Sequence, residues 1–233
     1  MGVTIHYTLS APAALKPVEA LGLVEQMRAV ALDMKRRRRV KSVGDIASDT
    51  AHALYEGRQF PNVRSGWNGK EYSPEVRPTR GAFFEVDVGK DCEPFLIGLF
   101  KYPARVTSCE TDNNECQTKM GWGWQYHRHC KTQYASLHGW THFRRCHVAV
   151  VDFLIALRAL GIAVKISDEG HYWPGRSVRA LRENVGMMNR VIAAAAGAMK
   201  DAFDDGSIQA AIFAHPQFER LEAEGADLLA KRP

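Results

Sequence analysis

The sequence lacks the two features that would assign it to a membrane or to the secreted proteins. It contains no run of about 18 consecutive apolar residues, and a membrane-spanning helix needs a stretch of roughly that length. Its opening residues, MGVTIHYTLS, lack the charged segment followed by an apolar segment that marks a secretory signal. We therefore expect a cytoplasmic protein that does not insert into a membrane.

The sequence also lacks a disulfide framework and the common catalytic fingerprints. Its five cysteines are odd in number and do not have the compact spacing of a disulfide framework, so reduced thiols, a metal or both fit better than disulfide bonds. It has no phosphate-binding glycine loop, no nucleophile elbow and no His-Glu-x-x-His motif. Nucleotide-binding proteins of the common types, serine hydrolases and zinc proteases are therefore disfavoured.

The composition is that of an ordinary globular protein with a mild excess of positive charge. Hydrophobic residues make up 45% of the 233 residues and charged residues 24%, which is enough apolar content for a sizeable core. The length predicts a single domain over 1–233. The net charge of +5 favours polyanionic partners such as nucleic acid.

The hydrophobic pattern predicts an α+β fold, in which helices cover a small mixed or antiparallel sheet. Residues of alternating polarity predict a first strand near the N-terminus, and two further strands around 82–88 and 94–102 are joined as a hairpin. Apolar residues at helical spacing predict helices over 17–34, 141–160 and 178–203. The glycine- and proline-rich segment 56–80 is predicted to be a long irregular loop, and 176–233 a helical C-terminal segment.

Four consecutive arginines follow the first predicted helix, namely Arg36, Arg37, Arg38 and Arg39. Clustered arginines can neutralise several phosphates of a nucleic acid, which makes this tract a candidate binding site. The alternative is a solvated helix end, because cations interact favourably with a helix C-terminus and the tract has no interleaved aromatic residue.

Cysteine and histidine are concentrated between 109 and 147, where four of the five cysteines and five of the nine histidines lie. These side chains are the usual zinc ligands, and the cluster contains more than the four that a closed site needs. The candidate set is Cys109, Cys116, His129 and Cys130. No Cys-x-x-Cys pair occurs, so scattered thiols and surface histidines remain the alternative. The cofactor, if there is one, would be zinc or another divalent cation.

A second candidate site needs no cysteine. Three separate segments supply residue types that act as anion clamp, hydrogen-bond positioner, acid or base: Lys131, Gln133, His147, Asp168 and Glu169. In this hypothesis the carboxylates and the histidine bind a divalent cation that activates water, and the lysine stabilises the developing negative charge. The alternatives are a core histidine and an ordinary acidic turn after a strand.

These observations predict a protein that acts on a polyanionic substrate, with metal-assisted hydrolysis of a phosphoester or nucleic acid as its enzymatic form. The rival hypothesis is a binding or regulatory module without catalytic activity, in which the Cys/His cluster holds structural zinc. In that case the 176–203 helix would bind a partner protein or a second copy. A third hypothesis takes Cys130 or Cys146 as a nucleophile with a neighbouring histidine as base.

Overall fold

A seven-stranded antiparallel sheet forms the centre of the protein in a computed structural model. The structure describes residues 3–12, 14–48, 65–67, 70–72, 76–107, 115–118, 120–203 and 209–231. The strands of the main sheet are β1 (Thr4–Ser10), β2 (Ser42–Val43), β3 (Ala47–Ser48), β6 (Arg80–Asp87), β7 (Phe95–Lys101), β10 (Trp124–Lys131) and β11 (Ala163–Asp168). Their order is β11-β1-β10-β7-β6-β2, and β3 also pairs with β6.

Four described strands of three residues each form two separate hairpins outside this sheet. The first consists of β4 (Ser65–Trp67) and β5 (Lys70–Tyr72), and the second of β8 (Arg105–Thr107) and β9 (Glu115–Gln117). The first hairpin lies within the segment predicted to be an irregular loop. Most of 56–80, and all of 108–114, lies outside the described residues.

The helices that pack on the sheet begin and end where local sequence signals predict. Helix α1 (Pro17–Arg36) starts at a proline in its first turn, which a helix tolerates because that N–H has no intrahelical partner. Helix α2 (Trp140–Ala156) continues as a short 3-10 turn to Leu160. The turn ends at Gly161, whose φ of 77° is left-handed and therefore suits glycine. Phe153 of α2 meets Phe95 of β7 edge to face, with ring centroids 5.5 Å apart.

Two further helices form the C-terminal part of the chain. Helix α3 (Val178–Ala202) is capped by Ser177, whose hydroxyl accepts a hydrogen bond from the Ala180 backbone N–H. Helix α4 (Phe218–Ala230) packs along α3, and a small second core forms between them. The two helices approach each other closely at Gly225, where an added Cβ atom would lie only 2.1 Å from the Arg190 carbonyl oxygen. The close packing therefore requires glycine at this position.

The predicted α+β class is confirmed, and the sheet is antiparallel. The predicted hairpin is confirmed by the antiparallel pairing of β6 with β7. The sequence interpretation missed β10, which is the central strand through the His/Cys-rich segment. Its inward residues Trp124, Tyr126 and Cys130 are buried, but histidines and charged residues alternate with them, and no apolar run marks the strand.

Candidate functional site

Three of the residues predicted to be catalytic lie on the inner, helix-covered side of the sheet. His147 extends from the middle of α2, Asp168 ends β11, and Gln133 follows β10. The N-terminal strand β1 pairs with both β10 and β11, with Ile5 opposite Cys130 and Asp168. The sheet register therefore brings three distant segments together at the start of β1.

His147 connects two polar groups inside the core. Its Nδ1 lies 2.8 Å from the Thr132 hydroxyl oxygen, and its Nε2 lies 3.1 Å from Asp168 Oδ1. The second contact has the distance of an ion pair, but it is poorly aligned, and Nε2 has no well-directed hydrogen bond to any residue that the structure describes. The contact is therefore a close approach of a ring nitrogen to a carboxylate oxygen and not a well-directed hydrogen bond.

Asp168 has further partners that keep it ionised. Its two carboxylate oxygens accept hydrogen bonds from the backbone N–H groups of Gly170 at 2.7 Å and Trp173 at 2.9 Å. Burial raises the pKa of Asp168, but the contact with His147 and these two backbone donors outweigh it, so that the pKa lies below its ordinary value. Asp168 is thus a carboxylate within the core.

The buried pair exposes no side-chain surface to a substrate. The side chains of His147 and Asp168 are both 0% exposed, and Thr132 is also fully buried. A Cβ atom added at Gly170 would lie 3.0 Å from His147 Cε1 and 2.6 Å from a Leu181 methyl group. The packing around this pair is that of a core, which agrees with the interpretation of His147 as a core histidine.

Gln133 serves the same region as a structural bridge. Its Oε1 accepts a hydrogen bond from the Val3 N–H at 2.8 Å, and its Nε2 donates to Asn189 Oδ1 of α3 at 3.0 Å. Asn189 in turn donates to the Ser136 hydroxyl at 3.1 Å. Asn189 was not among the residues predicted from the sequence. A polar residue inside the apolar spacing of α3 was the available signal.

Lys131 and Glu169 lie on the opposite, outer side of the sheet, because successive residues of a strand alternate between its faces. Lys131 Nζ is 3.9 Å from Glu93 Oε1. Glu169 accepts a hydrogen bond from the Thr4 N–H at 3.0 Å and lies 3.4 Å from His6 Nε2. The five predicted residues are therefore not brought into one pocket, and their catalytic role stays a prediction.

The outer sheet face carries three histidines. His6 and His129 are cross-strand partners with ring centroids 5.8 Å apart, and His127 Nδ1 lies 2.9 Å from the Thr8 hydroxyl. Partial burial, followed by repulsion from His6, lowers the pKa of His127. Partial burial also lowers the pKa of His129, although Glu93 opposes the shift. The lowered pKa values favour the neutral form of His127 and His129.

The structure describes the side chains of two of the four predicted zinc ligands, His129 and Cys130, and these two do not point to a common site. His129 faces outward beside Glu93, at 3.7 Å, whereas Cys130 is buried on the inner side. Cys109 and the side chain of Cys116 lie outside the described residues. Within the described part of the chain, no group of three or more histidine, cysteine or acidic residues is arranged to hold a metal ion.

The arginine tract after α1 is largely engaged by nearby carboxylates. Arg36 and Arg37 both pair with Asp33, at 3.0 and 2.8 Å, and Arg39 pairs with Asp152 of α2. Arg36 and Arg37 keep about three quarters of their side-chain surface exposed (74% and 73%). The geometry agrees with a solvated helix end, and a contribution to nucleic-acid binding stays a prediction.

A basic groove that the sequence analysis did not identify runs along α3. It consists of two adjoining depressions of about 630 and 470 Å³, which share Trp140 and Arg182. One lies between the start of α2 and the start of α3, and the other continues between α2, α3 and α4. Their charged lining contains five arginines and two glutamates, namely Arg144, Arg179, Arg182, Arg190, Arg220, Glu183 and Glu224.

The arginines in this groove outnumber the carboxylates that pair with them. Glu183 pairs with Arg179 at 2.8 Å, and Glu224 is shared by Arg190 and Arg220. Within the described ranges, no carboxylate lies within ion-pair distance of the two remaining arginines, Arg144 and Arg182. The Arg182 guanidinium instead lies over the indole ring of Trp140, 5.5 Å from its centroid.

Comparisons with protein-family models, with curated proteins and with solved structures found no match. No described helix is both long enough and apolar enough to span a membrane.

Proposed function

We propose that the protein is a nucleic-acid-binding module that holds a single strand in the basic groove along α3. The observation that carries this proposal is the Trp140–Arg182 pair at the junction of two arginine-lined depressions. Arginines neutralise backbone phosphates, and an aromatic ring provides a surface on which a base stacks whatever its sequence. Both elements lie in one open groove.

Single strands suit this groove better than a duplex. The indole ring of Trp140 is partly exposed, and a base can stack on it only if the base is free of its own neighbours. The guanidinium groups of Arg144 and Arg182 line the same depression as the ring, where they would neutralise phosphates of a bound strand. Recognition by stacking and charge predicts weak dependence on sequence.

The metal-assisted hydrolase remains the enzymatic alternative, and the burial of its central residues weighs against it. A hydrolase needs its acid, base or metal in contact with substrate. His147 and Asp168 are both buried, whereas Lys131 contacts Glu93 on the other side of the sheet. The groove needs no such rearrangement, so binding without catalysis is the function that the geometry supports best.

The proposal is tested by fluorescence anisotropy with a labelled single-stranded oligonucleotide and three variants. Trp140→Ala should weaken binding by about 5- to 150-fold, since stacking of a base contributes about 1–3 kcal/mol. Arg182→Ala should also weaken binding. Arg36→Ala removes an equally cationic but more distant side chain and should change the affinity less than about twofold.

The same experiment separates the competing hypotheses. If Arg36→Ala weakens binding and Trp140→Ala does not, the strand binds at the arginine tract and the groove proposal is wrong. Incubation with single-stranded DNA, RNA and a generic phosphodiester in the presence of Mg²⁺ or Zn²⁺ tests for hydrolysis. Cleavage by the native protein that disappears in His147→Ala would support the hydrolase instead.

A further inference from the structure

Two cysteines from distant parts of the chain meet beside α2. Cys92 lies in the connection between β6 and β7, and Cys146 lies in the middle of α2. The Cys92 N–H donates a hydrogen bond to the Gly89 carbonyl oxygen at 3.2 Å, which closes the turn that packs on Cys146. The two thiols lie close enough to shift each other's pKa, that of Cys92 upward and that of Cys146 downward. Both are free cysteines.

The β6–β7 connection packs directly on this part of the helix. Cys146 Sγ lies 3.5 Å from the Val88 carbonyl oxygen and 3.7 Å from His142 Nε2. A Cβ atom added at Gly89 would lie only 2.6 Å from Cys146 Sγ, so the close approach depends on glycine. His142 also contacts the carbonyl oxygen of Lys90 at 3.0 Å, which fixes its ring beside the two thiols.

The surroundings favour a thiolate on Cys146 and a protonated thiol on Cys92. The neighbouring Cys92 thiol, followed by the charges of His142 and Arg145, lowers the pKa of Cys146 to about 6 although burial opposes the shift. The neighbouring Cys146 sulfur, together with burial and the nearby Asp87, raises the pKa of Cys92. A thiolate is the nucleophilic form of cysteine.

We propose that Cys92 and Cys146 are a redox-active dithiol that a small hydroperoxide converts into an intramolecular disulfide. Cys146 is the attacking sulfur and Cys92 the resolving thiol. Cys146 itself is fully buried, whereas Cys92 is partly exposed, so the oxidant has to reach the pair past Cys92. An oxidant close to water in size, such as hydrogen peroxide, meets this requirement.

The reaction is balanced in two steps. The Cys146 thiolate attacks one oxygen of hydrogen peroxide, the O–O bond breaks, and hydroxide leaves while the sulfur becomes a sulfenic acid. The Cys92 sulfur then attacks the sulfenic sulfur, the S–S bond forms, and the S–O bond breaks. The released hydroxide ions take up the two thiol protons, so that two thiols and one peroxide give one disulfide and two waters.

Cys130 provides an internal control. It is fully buried, and its pKa is raised by burial and by Glu93 and Cys146. Its sulfur contacts the Glu93 carbonyl oxygen at 3.5 Å. A protonated, inaccessible thiol should react slowly, so Cys130 should remain reduced while the Cys92–Cys146 pair is oxidised.

The test is peptide mapping by mass spectrometry of the fully reduced, full-length protein after treatment with about one equivalent of hydrogen peroxide. We expect the protein to lose two hydrogens and to yield a Cys92–Cys146 linked peptide, in the native chain and in Cys130→Ser alike. Cys92→Ser should instead accumulate a sulfenic acid on Cys146 that dimedone traps. Cys146→Ser should leave Cys92 unmodified.

The pH dependence of the initial rate distinguishes an activated pair from two thiols that are merely close. The rate should level off above about pH 7, whereas that of glutathione continues to rise up to about pH 8.5. At pH 6 the native protein should react about tenfold faster than glutathione, after allowance for the weaker nucleophilicity of a low-pKa thiolate. His142→Ala should move the profile to higher pH.

The proposal is overturned if peroxide links other cysteines, such as Cys109 and Cys116, in place of this pair. It is equally overturned if the native and urea-unfolded proteins react at the same rate, because the activation depends on folded geometry. Both outcomes are independent of whether the groove along α3 binds nucleic acid.

Discussion

Asp168 shows how a single side chain can look catalytic in the sequence and be structural in the fold. An acidic residue directly after a strand is a common position for catalytic groups, yet here two backbone N–H groups and His147 engage its carboxylate in the core. Sequence patterns do not report burial by distant segments. The packing of Gly170 and Leu181 around the pair could be learned only from the folded chain.

Replacement of Asp168 by asparagine should destabilise the protein strongly. Asparagine has a single acceptor oxygen in place of the two that bind the buried backbone N–H groups of Gly170 and Trp173, and a buried donor left unsatisfied costs about 1–3 kcal/mol. We expect a loss of about 2–3 kcal/mol in the free energy of unfolding, measured by urea denaturation at pH 7. Asp45→Asn is the matched control, since Asp45 pairs with Arg28 but is fully exposed, and it should change stability by less than about 1 kcal/mol. Equal effects of the two variants would contradict this account.

The stabilising effect of Asp168 should depend on pH in a defined direction. Because its pKa is lower in the folded state than in the unfolded chain, its contribution is fully present above the unfolded pKa of about 4 and is lost as the pH falls through the folded pKa. The difference in unfolding free energy between the native protein and Asp168→Asn should therefore be constant from pH 5 to 7 and shrink at pH 3. A difference that grows on acidification would refute the assignment.

Among the elements, the helices were predictable and the central strand was not. Apolar spacing and the terminating Gly161 located α1, α2 and α3 to within a few residues. Strand β10 was not predicted because its outer face carries histidines. The alternation of polar and apolar residues that indicates a strand is therefore weak in this segment. The groove along α3 was also unpredictable, because it depends on where α2 and α4 lie against α3.

Asn189 attaches helix α3 to the segment that follows β10, and this attachment can be tested. Asn189→Ala leaves the Gln133 amide and the Ser136 hydroxyl without their partner in the core, which should cost about 2 kcal/mol of unfolding free energy. Asn184→Ala is the control on the same helix, since its amide donates only to the Ala180 carbonyl one turn earlier. That variant should stay within about 0.5 kcal/mol of the native protein.

At the scale of the whole molecule, the modest net charge of +5 conceals an uneven distribution. Asp152 pairs with both Arg39 and Arg176, and Asp33 pairs with two residues of the arginine tract. In the groove along α3, five arginines accompany two glutamates, so positive charge is in excess there. Composition predicted a polyanionic partner, whereas the position of the excess charge emerged only from the fold.

The dependence of nucleic-acid affinity on salt concentration should show whether the unpaired arginines of the groove contact phosphates. A phosphate contact contributes about 0.7 to the slope of log K against log salt for a single strand. The double variant Arg144→Ala with Arg182→Ala should therefore lower the slope by about 1.4, measured by anisotropy between 50 and 300 mM salt. Arg36→Ala with Arg37→Ala should leave the slope unchanged, and the reverse result would assign binding to the tract after α1.

Self-association through the 176–203 helix stays a prediction. Exposed apolar residues near the end of α3 are the reason to test it. Met199 and Phe203 are 55% and 59% exposed near the end of this helix, which is the segment expected to bind a partner. A protein that is monomeric by analytical ultracentrifugation at about 100 μM would exclude a stable dimer through this surface.

The central claim is that the exposed groove along α3, and not the buried His147–Asp168 pair, contacts the ligand. Photo-crosslinking of a single-stranded oligonucleotide carrying a photoreactive base, followed by mass spectrometry, tests it most directly. The account predicts crosslinks at Trp140 and in the first half of α3. Crosslinks at 36–39, or at Lys131 and Glu169 on the outer sheet face, with none in the groove, would contradict it.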